Sequence, residues 1–244
     1  MIAVIPAAGM ATRLRPLTAD RPKCLLEAAG KPLLRRTLEG LRANGITETA
    51  IVTGYMSRMV EDYLAIDVPE GMEVRTVYNP RYETTNNIYS LYLAAPFAEG
   101  KEMLLIDSDI IFDPATVGKV VGAEAPDALA LVRHPLGEEE IKVIADADMR
   151  VREISKTCSI EDAIGESVGI EKMSAEYTAA LFPELRRMVE QEGLDNVFYE
   201  RAFERLIPQG HTFTAVDTTG MFAMELDTPD DFANALQLLP KQLV

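Results

Sequence analysis

Residues 3–31 read AVIPAAGMATRLRPLTADRPKCLLEAAGK, and this stretch organises the rest of the chain. The apolar run Ile2 to Ile5 suits a strand buried on both faces. It is followed at once by Ala7, Ala8, Gly9, Ala11 and Thr12. Small side chains let main-chain N–H groups approach a ligand, and consecutive N–H groups make a nest for anions. Arg13, Arg15 and Lys23 then surround the same loop with cations in a chain whose net charge is −15. Main chain for one phosphate and Arg or Lys for the others is the chemistry of a polyphosphate site. A plain tight turn with exposed basic residues is the alternative. The stretch contains no G-x-x-x-x-G-K-[ST], and Gly9 lacks partners at dinucleotide-fingerprint spacing.

Composition narrows the class. At 244 residues, 48% hydrophobic and 26% charged, the chain fits one large α/β domain with a good core. The acidic balance argues against a nucleic-acid surface, which needs a basic stripe. No apolar run approaches the roughly 20 residues of a membrane span, and no charged-then-apolar leader is expected ahead of Ile2. Cys24 and Cys158 are the only cysteines, too few for a disulfide framework or zinc site. Reduced thiols and a cytoplasmic location are expected.

Outward from the first strand, periodicity predicts a helix over Pro32 to Asn44 and a strand over Thr49 to Thr53. A helix capped by Ser57 should run to Leu64, followed by a strand over Glu73 to Tyr78, a helix over Asn86 to Ala95 and a strand over Met103 to Ile106. Strand–helix alternation of this kind predicts a doubly wound, mixed and mainly parallel sheet of Rossmann-like type. Ligands sit at the carboxyl ends of such strands, where the Ala7 loop, the Gly54 loop, Asn79 and Asp107 emerge. Beyond Asp109, strands are expected over Ala128 to Arg133, Ile141 to Ala145, Val151 to Ser155 and Phe213 to Asp217. Helices are expected over Glu176 to Gln191, Asn196 to Leu206 and Thr228 to Leu239. No Gly/Pro/Ser-rich linker divides the chain. It is read as one domain: a nucleotide-binding half (1–112), an acceptor-side lobe (113–220) and a terminal segment (221–244).

Two acid pairs follow apolar runs. In LLIDSDIIF, Asp107 and Asp109 lie two apart and share a face of an extended chain. Carboxylates at a strand end beside a phosphate loop suit Mg²⁺, and a polar turn suits them equally. In FAMELDTPDDF, Glu225 and Asp227 repeat the pattern, and there Asp227 is also placed to cap the last helix.

The segment AAGMATRLRPLTADRPKCLL resembles the nucleotidyltransferase signature L-A-A-G-x-G-T-R-L-x-P-L-T-x-x-x-P-K-x-L of the GT-A-like, Rossmann-type superfamily. Pro6 and Ala11 depart from it, standing where Leu and Gly are usual. YNPRYETTNNIYSLYLA (Tyr78 to Ala94) resembles more narrowly the licC-type choline-phosphate cytidylyltransferases and the 2-aminoethylphosphonate cytidylyltransferases. The resemblance implies an enzyme that moves CMP from CTP to a small phosphorylated or phosphonylated amine or alcohol and releases pyrophosphate. It implies Mg²⁺ held by Asp109 and Asp227, with Glu225 and Asp107 as weaker candidates. Arg13 is assigned to the β/γ-phosphates and Lys23 to the α-phosphate. Nucleotide contacts are expected from Ala7, Ala8, Gly9, Ala11, Thr12, Gly54, Tyr78, Asn86, Asn87, Ser90 and Asp107, although Asn86 also suits a helix cap. Lys142 and Lys156 are candidates for the acceptor's phosphate, with Glu166 or Glu200 on a primary ammonium. Tyr199 with Phe198 is either part of a cage for quaternary ammonium or core. His134 and His211 are read as structural. Sugar-1-phosphate nucleotidyl transfer and a non-catalytic nucleotide sensor on the same fold are the alternatives.

Overall fold

A computed structural model describes residues 1–243. β1 (Ile2–Ala7) leads through the small-residue loop to a two-strand flap, β2 (Glu27–Ala28) and β3 (Lys31–Pro32), and then to α1 (Leu33–Ala43). Next come β4 (Glu48–Thr53), α2 (Ser57–Leu64), β5 (Glu73–Tyr78), α3 (Asn87–Leu93), the short α4 (Ala95–Ala98) and β6 (Met103–Ile106). The second half runs β7 (Ile110–Phe112), α5 (Pro114–Val121), β8 (Ala128–Val132), β9 (Lys142–Ala145), β10 (Val151–Ser155) and β11 (Gly165–Met173). It finishes with α6 (Ala175–Arg186), α7 (Glu200–Leu206), β12 (Thr214–Asp217), β13 (Ala223–Glu225) and α8 (Pro229–Leu238).

Nine of these strands form one mixed sheet whose main path is β10-β9-β11-β6-β1-β4-β5, with β8 on β11 and β12 on β8. Its core, β6-β1-β4-β5, is parallel, as the strand–helix alternation predicts. Side chains alternate between the two faces. Ile2, Val4, Val52 and Leu105 pack with α3, α6 and α7, while Ala3, Ile5, Ile51 and Leu104 pack with α1, α2 and α5. Both faces are therefore covered, and for that reason the strands read as continuous apolar runs. Leu34, Leu38 and Leu41 of α1 are fully buried, each worth about 1.5–3 kcal/mol of transfer free energy.

The structure differs from the sequence expectation mainly in β11. Residues 165–173, GESVGIEKM, do not look like a strand, yet they form the longest one, antiparallel to β6, β8 and β9. Two glycines, two glutamates and a lysine hide it. Gly169 takes φ +70°, and the register shifts between Ser167 and Glu171, the signature of a bulge. A Cβ on Gly169 would stand 2.5 Å from Oδ2 of Asp107, so only glycine lets these two strands meet. β7, β13, α5 and the flap are likewise additions. The helix expected over Glu176 to Gln191 gives way at Arg187 to a π-type turn, and α7 begins at Glu200 rather than Asn196.

Candidate active site

The carboxyl ends of β1 and β6, the start of α3, the loop before β9 and the ends of β10 and β13 enclose a cleft of about 500 Å³. That is within the usual size of a small-ligand site. Ala7, Ala8, Gly9, Ala11, Thr12, Arg13 and Lys23 all line it, as the opening stretch of sequence implied. Ala11 adopts a left-handed backbone, φ 45° and ψ 50°. Such a conformation costs an alanine about 1–2 kcal/mol, which accounts for glycine at this place in the signature.

Four charged side chains, from three distant points of the chain, converge on the floor. The Lys23 ammonium donates to Oδ2 of Asp109 at 2.9 Å and to Oδ1 of Asp227 at 3.0 Å. Arg13 donates to the other oxygen of Asp227 at 2.7 Å. Burial works to lower the Lys23 pKa, but the two carboxylates outweigh it and leave the pKa raised. Asp227 is held low, since Lys23 and Arg13 outweigh its own burial. Thr228 and Asp231 form the capping box of α8 between themselves, so Asp227 is not needed as the cap and faces the cleft.

Mg²⁺ takes one or two carboxylates and completes its shell with water and phosphate oxygens. Asp109 and Asp227, both already turned toward one cation, supply such a donor set. Among the described residues no three His, Cys, Asp or Glu side chains group as a metal cluster, so further ligands would have to come from substrate and water. Glu225 lines the cleft but makes no hydrogen bond or ion pair among the described residues. Burial, with Asp109, Glu166 and Asp227 nearby, pushes its carboxyl up to about 8. Asp107 lines the cleft too, its pKa well raised by burial and then by the acids around it.

The Asn-rich segment meets the same cleft. Asn86 caps α3, accepting the Asn87 N–H at 2.8 Å, and both asparagines line the wall. Oδ1 of Asn87 accepts the Tyr199 main-chain N–H at 2.9 Å, tying α3 to α7. Ser90 is buried in the wall, accepting from Asn79 at 3.3 Å. At the other end stand Lys156, Glu166 and Glu200. Glu200 is 6% exposed, one of its oxygens has no partner, and burial pushes its carboxyl up to about 7.

Four expected site residues lie outside the cleft. Gly54 packs behind the small-residue loop, where a Cβ would stand 2.7 Å from the Ala8 carbonyl oxygen. It shapes the loop rather than lining the wall. Tyr78 projects outward at 52% exposed. Lys142 is buried, its ammonium donating to the carbonyls of Gly137, Glu138 and Glu140 at 3.1–3.3 Å. It therefore staples the loop before β9. Tyr199 is core: it packs on Phe203 at 5.3 Å, and only its hydroxyl reaches Asp107, at 3.1 Å.

Sequence reasoning missed Glu139 as a cleft residue, and it placed Asn79 at the ligand-bearing strand ends without giving it a contact. Glu139 reaches Lys156 at 3.3 Å and Arg13 at 3.9 Å, linking the two ends. No local signal singles out one glutamate in the run EEE. Asn79 had a signal, its place at the end of β5, and its side chain braces Thr85, Ser90 and the Arg81 N–H.

A cationic small-residue loop after the first strand of a doubly wound sheet, faced by two converging aspartates, is an arrangement suited to a polyphosphate. The chain belongs to the family described as the MobA-like NTP transferase domain, whose model matches residues 3–206, and so is an enzyme of the nucleotidyltransferase class. It is 29% identical over 237 residues to the CMP-5'-(3-aminopropyl)phosphonate synthase of Streptomyces rubellomurinus, covering 94% of this chain but 37% of that protein. It is 41% identical over 109 residues to the choline-phosphate cytidylyltransferase of Streptococcus pneumoniae, covering 45% of this chain and 44% of the relative. These matches thus span less than half the length of either relative. The solved structure of the CTP:phosphocholine cytidylyltransferase LicC from Streptococcus pneumoniae shares the fold. Its TM-score is 0.81 at 24% identity, over 98% of this chain and 99% of that one. No helix among the described residues is long and apolar enough to cross a membrane.

Proposed function

We propose that this enzyme transfers CMP from CTP to a small phosphorylated or phosphonylated amine and releases pyrophosphate, its two halves acting as one catalytic unit. The observation that carries the proposal is the Lys23 ammonium held between Asp109 and Asp227 on the floor of a cleft whose one end pairs its cations with carboxylates and whose other end holds Glu166 and Glu200 beside Lys156. An anionic oxygen of the acceptor forms a bond to the α-phosphorus. The bond from that phosphorus to the oxygen bridging the β-phosphate breaks, and its electron pair leaves with pyrophosphate. The nucleophile is already ionised, so no general base is needed, and catalysis is positioning and charge neutralisation.

In this reading Arg13 exchanges Asp227 for the β/γ-phosphates, and Lys23 turns to the α-phosphate. Main-chain N–H groups from Ala8 to Thr12 cradle the triphosphate. Asp109 and Asp227 would hold Mg²⁺, which when bound supplies positive charge to the phosphate oxygens. The asparagine amides of Asn86 and Asn87 offer groups complementary to a pyrimidine edge or ribose.

The acceptor end favours a primary ammonium. Glu200 presents a buried oxygen in need of a donor. With Tyr199 in the core, Tyr82 and Phe198 are the aromatics lining the cleft among the described residues, and Lys156 already lies 5.0 Å over the Phe198 ring. A trimethylammonium group wants an aromatic cage, whereas a primary ammonium wants hydrogen-bond acceptors. Lys156 then meets the acceptor's anion. The names of the two relatives support CTP and this range of acceptors, and two separate free thiols, Cys24 and Cys158, support a reducing, cytoplasmic setting.

The test is pyrophosphate release from each NTP paired in turn with 2-aminoethylphosphonate, 3-aminopropylphosphonate, phosphocholine and several sugar 1-phosphates, with Mg²⁺ present or chelated. CTP with a primary-amine acceptor should give the highest kcat/KM, and chelation should abolish it. Turnover with sugar 1-phosphates alone, or no preference for CTP, would overturn the proposal.

A further inference from the structure

His134, two residues past β8, has both ring nitrogens facing oxygen. Nδ1 lies 2.9 Å from the Pro135 carbonyl oxygen, and Nε2 lies 2.6 Å from Oε2 of Glu166. A carbonyl only accepts, so Nδ1 carries hydrogen. A bare lone pair on Nε2 would repel a carboxylate at this separation, so one more proton lies between Nε2 and Glu166. The pair as a whole is then neutral, and the short distance is that of a charge-assisted bond. Glu166 follows the first residue of β11 and is fixed in the sheet between Val132 of β8 and Lys142 of β9. Its side chain lines the cleft, whereas His134 does not.

The neutrality matters because of what surrounds it. Seven carboxyl groups and three cations line the cleft, and both proposed substrates arrive as anions. We infer that His134 is a positioning residue for the acceptor end: it fixes the orientation of Glu166 and cancels its charge, so that an anionic acceptor is admitted beside Lys156. This rests on the proposed reading of that end as the acceptor site.

Charged groups bear on the pair from four sides: burial holds the Glu166 carboxyl above its ordinary value against the pull of His134, and Glu225 at the end of β13 adds negative charge near it. Glu140, in the loop before β9, accepts the Gly137 N–H at 2.9 Å and adds to the negative field on His134. Lys156, just past β10, is engaged by Glu139 at 3.3 Å and draws on Glu166 from the other side. Arg133, next in the chain, is tied to Asp217 of β12 at 2.8 Å. Burial opposes protonation of His134, but the carboxylates of Glu166 and Glu140 with the Pro135 carbonyl outweigh it, and the ring titrates above its ordinary value. Charge cancellation is therefore present at low pH and lost as pH rises through the raised His134 pKa.

The experiment compares the full chain with H134Q, E166Q and the double variant, using CTP and 2-aminoethylphosphonate from pH 6 to 9. H134Q keeps a hydrogen-bond donor but no charge. At pH 6 its acceptor KM should be about tenfold that of the unaltered enzyme, with kcat and the CTP KM within about twofold. The ratio of the two acceptor KM values should fall toward one as pH rises, and the double variant should be no worse than E166Q. A ratio near one at every pH, or an equal loss in the CTP KM, overturns the inference while leaving nucleotidyl transfer intact. If the unaltered enzyme turned over no phosphate acceptor with any NTP, the functional reading would fail first. The ring-nitrogen NMR titration of His134 then decides: a pKa above that of free histidine that drops in E166Q supports the pair, and an unchanged pKa overturns it.

Discussion

The two ends of the cleft hold charge in opposite ways. At the phosphate-loop end, Arg13 and Lys23 are matched against Asp227 and Asp109, and each partner keeps the other ionised. At the far end, Glu200 and Asp107 are pushed toward their neutral forms by burial, and Lys156 is the cation nearby. The first end is a set of charges ready to exchange partners when phosphates and a divalent ion arrive. The second is a reserve of desolvated acids that a cationic ligand would satisfy. Together they suit a reaction whose nucleotide is all anion and whose acceptor carries both signs.

The largest effect should come from breaking the first end. In the proposed reaction, Lys23→Ala removes the cation nearest the point where charge grows on the α-phosphate. Removing one such contact typically costs 10²–10³ in kcat, and a loss of about that size is expected, with CTP affinity changed by less than about tenfold. Single-turnover rates alongside direct CTP binding measure the two separately. Equal losses in both would mean that Lys23 only binds nucleotide and that the contrast between the ends is one of sign alone.

A smaller effect, about 10²-fold in kcat/KM, is expected of Asp109→Asn. The amide keeps the shape and loses the charge, so the Mg²⁺ concentration giving half-maximal rate should rise by about tenfold. An unchanged Mg²⁺ response in rate assays would move the ion away from this pair.

Glu200→Gln sharpens the comparison from the other side, and its effects should be the smallest. The folded carboxyl titrates at about 7 against an ordinary 4.5. A raised acid contributes stability that is present below its unfolded value and lost as pH rises through its folded one. At pH 8 the unaltered enzyme therefore carries a buried charge that glutamine lacks. The variant should melt several degrees higher at pH 8, on the order of 2–3 kcal/mol, and the gain should vanish near pH 5. Its acceptor KM should rise about tenfold with CTP KM unaffected. A lower melting temperature at pH 8 would show that the charge is satisfied in the free enzyme.

The two ends also differ in how legible they were in the sequence. The small-residue loop is contiguous, and its place follows from residues within one turn and strand of each other: Ala7, Ala8, Gly9, Ala11, Thr12, Arg13 and Lys23 all line the cleft. The acceptor end is assembled from β9, β10, β11 and α7. Lys142 and Lys156 look alike as strand lysines, yet one ammonium points into three loop carbonyls and the other into the cleft. Tyr199 and Glu200 are neighbours at the start of α7, and helical geometry sends the first into the core and the second to the cleft. His134, isolated in the sequence, gains its partner through the pairing of β8 with β11.

What the sequence determined by itself was therefore whatever depends on near neighbours. That includes the alternation of strands and helices, the covered parallel core of the sheet and the cationic turn after β1. Tertiary structure decided which far-apart side chains share a point. It inserted the glycine-bearing β11 beside β6, brought Asp109 and Asp227 to one ammonium, and gave the capping of α8 to Thr228 and Asp231 so that Asp227 was left for the cleft. The physical reason is the range of the interactions. Period, propensity and capping act over a few residues, whereas the meeting of charges depends on strand order and register, which only the packing of the complete sheet fixes.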